Sequence, residues 1–268
     1  MLKHLNQRLV AIAESTEQGL NLLLCEPKSS LSSMIQAIWV ASISSKTNIK
    51  KPLYADAGSG IIFNLFGKLE IGNETLEEGV IMLPVKHKAA IISMAPNTKL
   101  AGIRFHPAIG FGVLGQHYDK PTQLKIENDT LYNLFSLYSK LKTIKSDKQL
   151  IDSLHQWCET HLDFVHIIPD SLEQALDDIE QTENLEPLKT DTGMSHRQVE
   201  RYFKHWLGMT PKYYQRVLRI KKAMHFLRSN PNSNLADVAY QFGFSDQAHM
   251  TREFQSIAGI TPKKICAS

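Results

Sequence analysis

Between residues 34 and 105 the apolar positions come in short runs: MIQAIWVASI (34–43), GIIFNLFGKLEIG (60–72), GVIMLPV (79–85), AAIISMA (89–95) and KLAGIRF (99–105). They are rich in Ile, Val and Phe, and Gly, Pro or Asn separate most of them, which is the pattern of strands broken by turns. Five or six strands at this spacing predict a small antiparallel sandwich or barrel, with a mouth or interior that can take a small ligand. Ahead of them Leu2, Leu5, Leu9 and Ile12 stand at helical spacing and predict an amphipathic helix over 1–18. After Pro107 the period changes. FHPAIGFGVLG reads as a strand end and a short helix. Leu131, Leu134, Phe135, Tyr138 and Leu141 form a helical stripe over 130–144, capped by Asn128 or Asp129. Ser146 or Asp147 opens a further helix with Leu150, Ile151, Leu154, Trp157 and His161. These two helices either cover the sheet or present a surface to a second copy of the chain.

From residue 167 onward the pattern is helical. In IIPDSLEQALDDIEQTENLEP (167–187), Asp170 and Glu173 make a capping-box pair, and Leu172, Leu176 and Ile179 share one face. A short pattern then occurs twice, as GMSHRQVERYFKHWLGMTPK from Gly193 and GFSDQAHMTREFQSIAGITPK from Gly243. Gly193 and Ser195 recur fifty positions on; Arg201, Phe203, Gly208, Thr210, Pro211 and Lys212 recur fifty-one positions on, as Arg252, Phe254, Gly259, Thr261, Pro262 and Lys263. This is an internal duplication. In the second copy Leu235, Val238, Ala239 and Phe242 line a first helix, Gly243 turns the chain, and Ser245 or Asp246 caps a helix whose Met250, Phe254 and Ile257 point inward. That is helix-turn-helix geometry, in which the second helix can lie in a DNA major groove.

The outward residues of the second copy are then Gln247, Ala248, His249, Thr251 and Arg252. Those of the first are Ser195, His196, Arg197, Glu200, Arg201 and Lys204, with Val199, Phe203 and Trp206 inward. Polar, small and basic side chains are the types that reach base edges and phosphates. Between the copies runs YYQRVLRIKKAMHFL, with Val217, Ile220, Met224 and Leu227 as its stripe and Arg216, Arg219, Lys221 and Lys222 as its charge. A rigid connector predicts two heads in successive major grooves, about 34 Å apart, on a site of roughly 20 base pairs.

Charge sharpens this picture. Residues 193–268 hold twelve Lys and Arg against four Asp and Glu, a net of +8, while the rest of the chain nets −5. A basic C-terminal domain on an acidic remainder predicts a polyanion, double-stranded DNA, as partner of that domain alone. At 268 residues the chain has room for two domains. We place them at 1–167 (effector sensing and dimerisation) and 168–268 (DNA binding). The fold class is α+β: a small antiparallel β domain with flanking helices, then an all-α double helix-turn-helix domain.

The segment from Leu172 to Ile265 resembles the AraC/XylS transcriptional regulators. The second copy carries the most specific match, with Ala239, Gly243, Phe244, Ser245, Arg252, Phe254, Gly259, Thr261 and Pro262, and Arg219, Ala223 and Leu227 match the connecting helix. The resemblance implies a seven-helix module with two major-groove helices, a transcriptional activator working near RNA polymerase, and DNA contacts from the outward residues named above. Trp39, Phe105, Pro107 and Gly115 are similar to the companion domain of some such regulators. Lys189, Thr192 and Pro187 depart from the pattern in the first copy's supporting helix, and Met250 stands where an aromatic is common. With Glu200 and Ala248 on the reading faces, the two copies are expected to contact DNA unevenly.

Other chemistry is thin. His87 and His106 have no third metal ligand at a fitting spacing, and Lys86-His87-Lys88 reads as an exposed turn. GFGVLG lacks the Lys-Ser/Thr end of a phosphate loop, and no nucleophile elbow is present. The reading is therefore no catalytic residue, no metal and no cofactor. Three cysteines without ligand spacing and no apolar run near the roughly 20 residues of a membrane span point to a reduced, cytoplasmic chain without membrane attachment. The expected protein is a homodimeric regulator answering to a small-molecule effector whose binding residues the sequence does not identify. The alternatives are an enzymatic N-terminal domain on a DNA-binding tail, and a regulator without effector.

Overall fold

The Ile, Val and Phe runs pair into two sheets. The structure, a computed structural model, describes residues 9–17, 19–27, 30–162, 167–181 and 194–267. The strands are β1 (Leu9–Glu17), β2 (Leu20–Pro27), β3 (Ile35–Ile43), β4 (Ile49–Leu53), β5 (Gly60–Phe66), β6 (Leu69–Ile71), β7 (Glu74–Leu76), β8 (Gly79–Leu83), β9 (Ala90–Met94), β10 (Lys99–Phe105) and β11 (Thr122–Gln123). One sheet has the order β1-β2-β3-β10-β5-β8-β11 and the other β4-β9-β6-β7. Every neighbouring pair in the larger sheet is antiparallel. The expected antiparallel β domain is therefore present, with more strands than the five or six foreseen. The run 60–72 divides in two at Gly67, whose φ of +90° turns the chain between β5 and β6.

The predicted helix over 1–18 is wrong where it can be compared. Residues 9–17 are a strand, joined to β2 through Gly19 at φ +83° and registered with it from Leu9↔Pro27 to Glu17↔Leu20. The spacing of Leu9 and Ile12 is a local preference, and pairing with a neighbouring strand overrides it. Leu2 and Leu5 lie outside the described residues.

The chain divides into two units. The first takes in 58–85 and 91–167 together with the residues up to Pro52; the second takes in Leu53–Ala57, Lys86–Ala90 and Ile168–Ser268. In the first unit α1 (Ile109–Leu114), α2 (Leu134–Thr143) and α3 (Asp147–His161) follow the strands. α3 packs on β2, β3 and β10, and α2 packs on β5 and β8. Leu150, Ile151, Leu154 and Trp157 of α3, and Leu134, Leu137 and Leu141 of α2, are buried together with Ile38, Ile61, Phe63 and Ile103. α2 starts at Leu134, later than foreseen, and leaves Leu131 73% exposed before it. Asp129 still serves this helix start, accepting the Phe135 N–H at 2.8 Å.

In the second unit α4 (Asp170–Gln181), α5 (His196–Leu207), α6 (Pro211–Ser229), α7 (Leu235–Gln241), α8 (Gln247–Ala258) and α9 (Pro262–Cys266) follow one another. α6 is the hub: α4, α5, α8 and α9 all pack on it. Its Tyr214, Val217, Ile220, Ala223, Met224 and Leu227 are buried. The buried Tyr214 hydroxyl donates to Glu180 Oε1 at 2.8 Å and so ties α4 to α6. No helix among the described residues is long and apolar enough to cross a membrane. No group of three His, Cys, Asp or Glu side chains among them is placed to hold a metal ion.

Candidate nucleic-acid interface

Each copy of the repeat builds its main helix from the same parts. α5 starts with a capping box: Gln198 N–H donates to Ser195 Oγ at 3.4 Å and Ser195 N–H donates to Gln198 Oε1 at 2.9 Å. α8 starts on Asp246, whose Oδ1 accepts the His249 N–H at 2.6 Å. Both helices end on a glycine in the left-handed region, Gly208 at φ +67° and Gly259 at φ +65°, a conformation that costs a side-chain-bearing residue much more. In both, the inward face is buried: Val199, Phe203 and Leu207 in α5, and Met250, Phe254 and Ile257 in α8. Trp206, expected inward, is only half-buried.

The outward faces emerge largely as the pattern suggested. His196, Arg197, Glu200, Arg201 and Lys204 of α5 and Gln247, Ala248 and Arg252 of α8 are exposed. Ser195 is exposed too, with its hydroxyl engaged in the cap. His249 and Thr251 are half-buried. The His249 Nδ1 accepts the Ser245 N–H at 3.2 Å and its ring packs edge-on against Phe244, 5.7 Å between centroids. Thr251 donates back to the Gln247 carbonyl at 2.9 Å. The first copy's supporting segment, with Pro187, Lys189, Thr192 and Gly193, lies outside the described residues.

Charge on the connecting helix does work that composition alone did not reveal. Arg216 makes a forked pair with Glu253 of α8, with Nη2 to Oε1 at 2.8 Å and Nε to Oε2 at 2.9 Å. Arg219 donates to the Gly243 carbonyl at 3.1 Å and lies over the Phe244 ring at 5.1 Å. Lys222 donates to the Glu180 carbonyl at 2.6 Å. Three of the four cations that α6 was expected to supply thus also brace the fold, and Glu253 escaped notice because nothing local marks its partner.

Burial pushes the Glu253 carboxyl up, but the Arg216 hydrogen bonds and the charges of Arg216, His249 and Arg219 outweigh it and leave the group below its ordinary 4.5. A depressed carboxylate contributes stability above its unfolded pKa and loses it as pH falls through the folded value. The Asp246 cap, lowered chiefly by the His249 N–H, acts in the same direction. We therefore expect Glu253→Gln to be less stable than the wild type at pH 7, and the gap to close below about pH 4.5. Urea midpoints measured from pH 7 to pH 3 check this; a gap that stayed constant would remove the ion pair from the account.

Two capped helices, each backed by its own buried aromatic and showing polar and basic side chains outward, make this a helix-turn-helix DNA-binding module. A helix-turn-helix domain family matches residues 188–267. The chain is 33% identical over 82 residues to the HTH-type transcriptional activator RhaS of Escherichia coli, covering 31% of this chain and 29% of RhaS, so it spans under a third of the length of that relative. An AraC-type DNA-binding regulator structure from Chromobacterium violaceum is 31% identical, covering 37% of this chain and 90% of that one, with a TM-score of 0.34. ToxT of Vibrio cholerae is 11% identical over 83% of this chain and 98% of its own, with a TM-score of 0.45. The chain belongs to the AraC/XylS family of transcriptional regulators.

Proposed function

We propose that this protein is a sequence-specific transcriptional regulator, an activator, whose α5 and α8 enter adjacent major grooves of one DNA duplex. The observation that carries this reading is the agreement between copies. Arg201 and Arg252 stand fifty-one positions apart, both exposed, on helices with matching caps and matching buried phenylalanines. A duplicated recognition helix on a common hub has the form needed to read two half-sites. The DNA-facing set is Ser195, His196, Arg197, Glu200, Arg201 and Lys204 with Gln247, Ala248, His249, Thr251 and Arg252. Ser195 and His249 also close their helix starts.

In this reading 1–167 is the sensing and dimerising domain and 168–268 the DNA-binding domain. A small molecule or a partner protein acts on the β unit, and α2 and α3 carry a homodimer contact. RNA polymerase is the further partner, and the cytoplasm the compartment. An effector shifts such a protein only as far as its affinity differs between two states. Genome-wide footprinting with and without candidate effectors tests the whole reading. It should give sites of roughly 20 base pairs with two half-sites on one face of the duplex. Binding that showed no sequence preference at moderate salt would sink it.

A further inference from the structure

Lys86–Ala90 lies between β8 and β9 in the chain but belongs to the helical unit. It is not the exposed turn that Lys86-His87-Lys88 suggested: Lys86 is buried and His87 half-buried, and only Lys88 is exposed. The segment meets both copies of the repeat at the same place. Just after α5, on the first turn of α6, the Tyr213 hydroxyl donates to the His87 carbonyl at 3.0 Å. The two rings lie 6.0 Å apart, tilted by 41°. A Cβ on Gly208 would stand 3.6 Å from His87 Nε2. At the end of α8, the Ala89 N–H donates to the Ile257 carbonyl at 2.8 Å. A Cβ on Gly259 would stand 3.8 Å from the Ala89 Cβ.

Gly208 and Gly259 are one position of the duplication, fifty-one residues apart. His87 and Ala89 are two residues apart. A single short segment therefore hydrogen-bonds the closing turn of α8 and, through Tyr213, the start of α6 directly after the closing glycine of α5. The last-turn carbonyls of a helix have no partner within it, and Ala89 supplies one to α8 from outside. α5 and α8 each pack on α6. A tie at one hub leaves each helix free to tilt about its contact with α6. A second tie, from one segment to the end of α8 and to the corner between α5 and α6, removes much of that freedom.

We infer that Lys86–Ala90 is a positioning segment: it fixes the separation and rotation of α5 relative to α8, and so the spacing between half-sites that the protein accepts. This rests on the DNA-binding reading above. His87, Ala89 and Tyr213 act through the start of α6 and the end of α8 and touch no base themselves.

The test uses the full chain and a duplex selected by the wild type from a random pool. From that duplex a panel is made with the half-sites moved apart or together by one and two base pairs, plus a duplex with one half-site scrambled. Affinities are measured for the wild type, Tyr213→Phe, His87→Ala and Ala89→Pro. The wild type should show a sharp optimum. Each variant should lose about three- to tenfold at that optimum, the worth of one hydrogen bond or a small contact, and should bind the shifted duplexes relatively better. Binding to the single half-site should stay within about twofold of wild type. A variant profile that matches the wild type, or a loss equal at every spacing and on the single half-site, would overturn the inference. Ala89→Pro puts the backbone itself at risk. Tyr213→Phe decides the matter if that variant does not fold, since it removes one hydroxyl and keeps the ring that Arg216 covers at 5.1 Å. A wild type that selects no duplex would defeat the DNA-binding reading itself; a wild type with a sharp optimum that the variants share would defeat this inference alone.

Discussion

Phe254→Ala should destabilise the helical unit by about 3–5 kcal/mol, the usual cost of emptying a fully buried phenylalanine site. Phe254 has no exposed surface and packs 6.5 Å from the Phe244 ring. Phe244 in turn lies against His249 and beneath Arg219, so the cavity opens under the start of α8 and under the brace from α6. Neither neighbour can collapse into it without giving up a hydrogen bond, His249 to Ser245 or Arg219 to Gly243. Phe203→Ala, the same position in the first copy, opens a void beside Tyr214, 5.8 Å away, and should cost a similar amount. For a unit of this size the melting temperature should fall by about 12 °C or more in either variant. Thermal unfolding followed by circular dichroism measures it, and a drop of a degree or two would show that these rings do not carry the core. DNA affinity should fall with the folded fraction alone, because the exposed arginines are untouched.

The duplication explains why so much of this unit was legible. A motif that occurs twice supplies its own control: inward positions agree between copies, caps agree in place if not in residue, and closing glycines agree. The strands of residues 35–105 were legible because Gly and Pro punctuate them. What stayed hidden has a common physical cause. The bracing role of Arg216, Arg219 and Lys222 and the place of Lys86–Ala90 depend on partners far away in the chain, and the strand at 9–17 depends on its pairing with β2, which a helical spacing of leucines does not register. Tyr213 and His87 are 126 residues apart, and Arg216 and Glu253 are 37 apart. Periodicity and capping rules see only a few residues in each direction, so they register charge and burial but not pairing. Counting +8 in the basic segment was correct as a sum, yet it overstated how many of those cations stand free to meet phosphate. His249 shows the same limit in a single residue. Its position marked it as outward, whereas its hydrogen bond to Ser245 also makes it part of the helix start.

Arg201→Ala and Arg252→Ala, separately and together, should separate the two copies by function. Both guanidiniums are exposed at the matching position of their helices, and arginine stays charged at any relevant pH. Each removal should weaken binding to the selected duplex by about tenfold. Each should also lower the slope of log affinity against log salt by about 0.9, the share of one released counterion. The two positions share no partner, so the effects should add to about a hundredfold and about 1.8 in slope. Unequal single effects have a reading in advance. Glu200 sits one residue before Arg201 and repels phosphate, whereas Thr251 before Arg252 is neutral. Arg201 should therefore lose less affinity when removed, and Glu200→Gln should strengthen binding and raise the salt slope. If Arg252→Ala reduced binding and Arg201→Ala left affinity and slope unchanged, α5 would not lie on DNA. The first copy would then serve as a brace for the second, and the proposed site would shrink to a single half-site.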